Sequence, residues 1–231
     1  MKKALLSWSS GKDSAWALHL LRQTPEIQVV GLVTTFNSAA DRVAMHAVRR
    51  ALVEAQAESA GLPLWPVELP WPCSNSEYER LMGGVIERAK AEGTAAFAFG
   101  DLFLEDIRAY RVRQLQGTSI APLFPVWGLP TGGLAREMIA AGVKAKLTCV
   151  DPAKLDRSFV GREYDHRLLQ DLPPLVDPCG ENGEFHTFVY DGPVFSRPIR
   201  VRLGEVVERD GFVFSDIASD EIAAPEQAVR L

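Results

Sequence analysis

Ser9-Ser10-Gly11-Lys12-Asp13-Ser14 is the stretch from which the rest of this chain can be read. Before it, Ala4-Leu5-Leu6-Ser7-Trp8 is a short apolar run that reads as a buried strand. After it, Ala15, Trp16, Leu18, Leu20 and Leu21 recur at helical spacing and stop before Pro25. A loop of small residues between a strand and a helix start is suited to hold phosphate. The first amides of the helix have no partner within it, and the helix dipole favours an anion there.

The loop is not the common G-x-x-x-x-G-K-[ST] pattern, because Leu6 and Asp13 stand where that pattern needs Gly and Ser or Thr. It resembles instead the S-G-G-x-D-S pyrophosphatase loop of the ATP-pyrophosphatase, or adenine nucleotide alpha-hydrolase-like, enzymes. Five of the six positions agree, and Ser10 stands where the first Gly is expected. A positive φ there carries a cost for Ser that Gly escapes.

At 231 residues the chain can bury a substantial core as one large or two small domains. Its 47% apolar and 24% charged residues are ordinary for a globular protein. A net charge of -5 argues against a bulk basic surface for nucleic acid. No apolar run approaches membrane-spanning length, and the polar loop follows the start too soon for a signal peptide. Cys73, Cys149 and Cys179 give neither zinc spacing nor an even disulfide set, so a reduced, cytoplasmic setting is expected.

Residues 1–150 alternate strand and helix patterns. The run 27–36 is too continuously apolar for a strand with one wet face. Ala44, Ala47, Val48, Ala51, Leu52 and Ala55 predict a helix that Gly61 closes, with His46 off its apolar stripe, facing either solvent or a ligand. Residues 63–69 read as an edge strand because of Pro63 and Pro66. Tyr78, Leu81, Met82, Val85, Ile86 and Ala89 form the next helical stripe. Residues 95–99 read as a buried strand leading into Gly100-Asp101. Helices over 106–116 and 132–141 follow, the second with Thr131 as its N-cap, and 146–150 reads as the last strand of the series.

This alternation predicts an α/β fold with a doubly wound parallel sheet. Ligands bind such sheets beyond the carboxyl ends of the strands, where the 9–14 loop, Asn37 and Asp101 all fall. Asp101 suits Mg²⁺ beside phosphate oxygens, or a helix cap. Arg108 and Arg111, one turn apart, either reach a phosphate or form a solvated face.

Beyond residue 150 the repeat stops, and 151–231 is expected to be a smaller α+β C-terminal domain. It holds a second dense stretch, Asp177-Pro178-Cys179-Gly180-Glu181-Asn182-Gly183-Glu184-Phe185-His186-Thr187. Carboxylates, an amide and an imidazole are crowded here against the apolar run Phe188-Val189-Tyr190. Glu181, Glu184 and His186 can grip a polar group or move protons, and Gly180 and Gly183 allow close backbone approach. Further on, Asp210-Gly211 predicts a hairpin turn between Val206-Val207 and Phe212-Val213-Phe214. The last dozen residues are expected to fray.

Taken together, the S-x-G-K-D-S loop, Gly100-Asp101 and G-E-N-G-E-F-H-T resemble the diphthine–ammonia ligase family over residues 5–198. The resemblance implies an adenine nucleotide alpha-hydrolase-like domain over 1–150 and a substrate-binding domain over 151–231. It implies ATP and Mg²⁺, cleavage to AMP and pyrophosphate, and amidation of an adenylated carboxylate by ammonia. The acceptor is a carboxylate on a small molecule or a protein side chain, and a homodimer is among the expected assemblies. Ser9, Ser10, Gly11, Lys12, Asp13 and Ser14 would bind the nucleotide with His46 and Gly100. Asp13 and Asp101 would hold Mg²⁺, and Lys12, Asp13 and Glu184 would be catalytic. Glu181, Asn182, Gly183, Glu184 and His186 would orient the acceptor. Diphthine-amidating members carry a motif closer to E-G-G-E-[FY]-E-T, whereas Asn182 and His186 stand here. This form resembles a bacterial branch for which a link to cobalamin metabolism has been suggested.

Three other readings stay open: a tRNA-modifying enzyme of the same superfamily, a nucleotide-binding sensor without turnover, and a metal site built from Cys179, Glu181, Glu184 and His186.

Overall fold

The computed structural model describes residues 1–43 and 47–220. Apolar runs and helical stripes alternate along the first half, and each becomes one element. β1 (Lys2–Ser7), β2 (Ile27–Asn37), β4 (Leu64–Leu69), β5 (Ala96–Ala98) and β6 (Ala121–Leu123) pair in parallel in the order β4-β2-β1-β5-β6. A short β3 (Arg42–Val43) turns back antiparallel on the end of β2. The chain builds outward from β1 to β4 and then restarts on the other side at β5. The order therefore reverses between β1 and β5, which is where a doubly wound sheet opens a crevice.

Side chains on a strand point to alternate faces, so each parallel strand feeds two cores. Leu5, Val33 and Phe97 pack with Met82, Ile86 and Ala89 of α3 (Asn75–Ala91), alongside Leu115 at the end of α4 (Glu105–Leu115). Leu6, Leu32 and Ala98 face the other way, toward Trp16 and Leu18 of α1 (Lys12–Arg22) and Leu52 and Val53 of α2 (Arg50–Ala60). α5 (Thr131–Ala140) adds Leu134, Ala135 and Met138 to this second core.

A separate antiparallel sheet, ordered β8-β7-β10-β9, follows: β7 (Lys144–Val150), β8 (Phe185–Asp191), β9 (Val201–Arg209) and β10 (Phe212–Ser219). A short helix α6 (His166–Asp171) lies between β7 and β8, capped by Asp165, whose side chain accepts from Leu168 N at 2.7 Å. Ala145, Leu147, Phe188 and Val189 of this sheet share the core of Leu6 and Trp8. The architecture is the expected α/β one, a doubly wound parallel sheet with a smaller α+β part.

Several local expectations change. The strand read as the last of the parallel series is β7, which pairs with β8 and β10 in the second sheet. α2 starts at Arg50, because Ala47 has φ 55, in the left-handed region no helix uses. Its buried stripe is Leu52, Val53, Gln56, Ala57 and Ala60 rather than Ala51 and Ala55. Thr131 is the first residue of α5 and Pro130 takes the cap position. Asn37 closes the turn into β3 by accepting from the amides of Ala39 and Ala40 at 3.0 and 3.2 Å. The Asp210-Gly211 hairpin turn forms, both residues having positive φ (52 and 81). Among the described residues, β4 is an edge strand that pairs with β2 alone. His46, Ala44 and residues 221–231 lie outside the described residues. Among the described residues, no helix is long and apolar enough to cross a membrane.

Candidate active site

The carboxyl ends of β1 and β5 open onto a cavity of about 240 Å³. The 9–14 loop forms one wall, Gly100 and Asp101 another, and residues 179–187 the third. The two sequence stretches, more than 160 residues apart, therefore meet.

The loop after β1 is shaped by its backbone. Ser10 is fully buried with φ 69, the conformation expected for the first Gly of the motif, and Ser bears its cost. Its carbonyl accepts from the Val189 amide at 3.0 Å and from Gln56 Nε2 at 3.1 Å. Gln56 also donates to the Val189 carbonyl at 2.6 Å, and Trp8 Nε1 donates to Gln56 Oε1 at 2.8 Å. Two carbonyl partners and one indole donor fix which end of the amide is which. The Lys12 amide, first in α1, donates to Thr187 Oγ1 at 3.1 Å, so β8 caps the helix. Ser14 Oγ donates to the Gly11 carbonyl at 2.9 Å and lies 3.2 Å from Ser9 Oγ. A Cβ on Gly100 would stand 3.0 Å from Ser14 N and from the Asp13 carbonyl carbon, so this strand end needs glycine to pack on the loop.

Lys12 is only 2% exposed, and its ammonium donates to Asp13 Oδ2 at 2.9 Å and to the Cys179 carbonyl. Burial works to lower its pKa, but the carboxylates around it outweigh burial and raise it, so the lysine stays charged. The rings of Tyr164 and Phe185 each lie 5.5 Å from this ammonium. Burial pushes the Asp13 carboxyl up against the pull of Lys12. Asp101 is also raised by burial, against Arg111, whose Nε lies 3.7 Å from Asp101 Oδ2.

The third wall is shaped by side chains. Asp177 Oδ2 accepts from the amides of Cys179 and Glu181 at 3.2 and 3.0 Å. Glu184 is buried, and its Oε1 accepts from the Asp177 amide at 2.9 Å and from Asn182 Nδ2 at 3.2 Å. Asn182 and Glu184, expected to meet the acceptor, do not line the cavity; Asn182 Nδ2 and Glu184 Oε1 are used in closing the loop, while Glu184 Oε2 is buried without a hydrogen-bond partner. Glu181, Gly183 and His186 do line it. Glu181 Oε1 accepts from the Leu102 amide at 2.9 Å, yet burial, with Asp13 and Asp101 nearby, pushes its pKa to about 7. Burial and the charge of Lys12 lower His186 to about 4, so it is neutral at pH 7. The Cys179 thiol, pushed by burial to about 12, is likewise uncharged.

For Mg²⁺, the fitting atoms are Asp13 Oδ1 and Asp101 Oδ2, both buried carboxylate oxygens without a hydrogen-bond partner. The four-residue cluster read as a possible metal site is not assembled: among the described residues, no three metal-ligating side chains of the His, Cys, Asp or Glu type group together. Of the two arginines on α4 singled out in the sequence, Arg111 lines the cavity, whereas Arg108 packs on Trp127 and Phe124. Gln56 and Thr187 were given no role from the sequence. The one signal for Gln56 was a polar side chain among the apolar positions Leu52, Val53, Ala57 and Ala60.

Residues 1–114 match the model of the diphthamide synthase N-terminal domain, and residues 131–218 that of the diphthamide synthase C-terminal domain. The diphthine–ammonia ligase of Rattus norvegicus is 30% identical over 155 residues, 63% of this chain and 57% of that protein. That of Mus musculus is 32% identical over 157 residues, with the same shares. That of Danio rerio is 29% identical over 199 residues, 77% of this chain and 72% of the relative. The match thus spans little more than half the length of the two mammalian relatives. With N- and C-terminal models matching in order and between them spanning most of its length, the chain belongs to the diphthamide synthase family.

Proposed function

We propose that this protein is an ATP-dependent, AMP- and pyrophosphate-forming ligase that converts a carboxylate of its acceptor to an amide with ammonia. The observation that carries this reading is the junction of the 9–14 loop and the 179–187 segment on one cavity, tied by the Lys12 amide to Thr187. Family membership and the name of the relatives, which pairs diphthine with ammonia, support the same reaction class.

In this reading the start of α1 and the Ser9 and Ser14 hydroxyls hold the phosphates that leave as pyrophosphate. Lys12 adds its charge from beneath while clasping the Cys179 carbonyl. Asp13 and Asp101 would hold Mg²⁺, which supplies charge neutralisation on the phosphate oxygens. A carboxylate oxygen of the acceptor attacks the α-phosphorus, and pyrophosphate departs with the bonding pair. Ammonia then attacks the acyl carbon, the acyl C–O bond breaks, and AMP leaves with that pair. The proton shed by nitrogen goes to Glu181, whose pKa of about 7 lets it accept a proton at neutral pH. His186, neutral and at the cavity wall, hydrogen-bonds the acceptor without competing for that proton. Asn182 and Glu184 position Glu181 by holding its loop.

The test is the fate of ATP. Protein incubated with Mg-ATP and ammonium should yield AMP and pyrophosphate only when a small-molecule or protein extract supplies the acceptor. Asp13→Ala should abolish AMP formation in the same assay. ADP as product would overturn the reading, and ATP bound without turnover in every extract would favour a sensor.

A further inference from the structure

Arg111 lines the same cavity as the start of α1 and is the residue of α4 that does so. Its mounting is rigid. The guanidinium carbon lies 5.0 Å from the Phe99 ring centre and 5.9 Å from that of Tyr110, within cation–π range. Its hydrogen bonding is far from complete. Nη1 reaches the Tyr78 hydroxyl only at 3.5 Å, and Nε, buried, has no hydrogen-bond partner. Asp101 Oδ2, 3.7 Å from that Nε, attracts it from beyond hydrogen-bond length and is itself without a hydrogen-bond partner. A guanidinium held against aromatic rings at a cavity wall, with Nε unpartnered and Nη1 only weakly bonded, is suited to receive an anion with two oxygens. Leaving such donors unmatched has a cost that an incoming oxyanion removes.

We propose that Arg111 binds the α-phosphate of the nucleotide, while the 9–14 loop takes the departing pyrophosphate. This rests on the nucleotide reading given above. The 9–14 loop with the start of α1 offers one set of anion donors to the cavity, and Arg111, from α4, offers another. The α-phosphate is the group transferred between pyrophosphate and the acceptor carboxylate. A donor held in place before reaction stabilises charge at that phosphorus without having to reorganise. Arg108, one turn earlier and stacked 4.6 Å from the Trp127 ring centre, has no part in it.

Calorimetric titration of the purified protein with AMP and, separately, with pyrophosphate, both with Mg²⁺, separates the two sets of donors. Arg111→Ala should weaken AMP binding by roughly tenfold to a hundredfold, the worth of charge-assisted hydrogen bonds, and leave pyrophosphate binding within about twofold. Arg111→Lys should recover part of the AMP affinity, and Arg108→Ala should bind both ligands as the parent does. Parent-like AMP binding by Arg111→Ala overturns the inference while the nucleotide reading stands. Equal loss of both ligands, with no recovery by Arg111→Lys, also overturns it and makes Arg111 structural. A parent protein that binds neither ATP, AMP nor pyrophosphate overturns the nucleotide reading itself, and this inference with it.

Discussion

The two loops that meet at the cavity are both polar, yet they are built in different ways. The 9–14 loop takes its shape from backbone: a left-handed Ser10, a glycine at the helix start, and carbonyl and amide groups tied to β8 and α2. The 177–187 loop takes its shape from carboxylates, with Asp177 and Glu184 accepting amide hydrogens of their own segment. In the first loop Ser9, Lys12, Asp13 and Ser14 all line the cavity, even where they also bond within the protein. In the second, most charged side chains are used up in folding, and Glu181 and His186 are the ones that reach the cavity. A dense polar motif is therefore a poor count of functional groups until its internal bonds are known.

The sharpest break between the two loops is expected from Gln56→Leu. Gln56 is fully buried and touches only the backbone-built loop and its neighbours, through Trp8 Nε1, the Ser10 carbonyl and the Val189 carbonyl. Leucine fills similar space but leaves the indole N–H and the Val189 carbonyl unpaired, while Ser10 keeps its bond from the Val189 amide. At about 1–3 kcal/mol for each of the two buried groups stranded, urea unfolding should show a loss of roughly 2–6 kcal/mol. A loss below about 1 kcal/mol would mean that the loop does not depend on this brace.

Glu181→Gln probes the other loop, with effects of opposite sign on stability and activity. The folded pKa of about 7 lies above the ordinary 4.5, so the native state gains from proton uptake by Glu181. That contribution is whole below pH 4.5 and is lost as pH rises to about 7. Glutamine, never charged, should therefore melt higher than the parent at pH 8, and the difference should vanish toward pH 4.5. His186 runs the other way in the parent: lowered from 6.5 to about 4, it weakens the native state as pH falls through that window. The difference between variant and parent melting curves cancels that background. Amide formation should fall in the same variant, because no proton acceptor remains there. Equal melting at pH 8 would mean that the carboxylate is not destabilised by its surroundings.

What could be read from the sequence followed from locality. The 9–14 loop, the alternation of strands and helices and the Asp210-Gly211 hairpin each depend on neighbours in the chain, and all three appear where expected. Membership of β7 in the second sheet was hidden because its partners, 185–191 and 213–214, are distant in sequence and its apolar run fits either sheet. The late start of α2 was hidden because Ala47, a strong helix former, is held in a left-handed turn by the hydrogen bonds Val43 N to Val48 O and Ala47 N to Val43 O. Glu181 and Glu184 could not be told apart, since three residues in an irregular loop carry no periodicity to say which faces inward. In Gln56 the only mark was a polar side chain among Leu52, Val53, Ala57 and Ala60, which more often means a wet edge than a buried brace.

Glycines extend the same contrast to the smallest effect. Gly180, in the side-chain-built loop, has φ +70, and a Cβ there would stand 2.7 Å from the Phe185 carbonyl, so its place is fixed by backbone contact. Gly83, inside α3, has ordinary helical backbone, and a Cβ there would meet nothing within 4 Å. Its glycine only adds conformational freedom to the unfolded chain and weakens the helix. Gly83→Ala should therefore raise stability by about 0.5–1 kcal/mol in urea unfolding, with ATP handling unchanged. A destabilised Gly83→Ala would show that the outer face of α3 is covered by something for which a methyl group leaves no room, and so that this helix, remote from both loops, has a contact of its own.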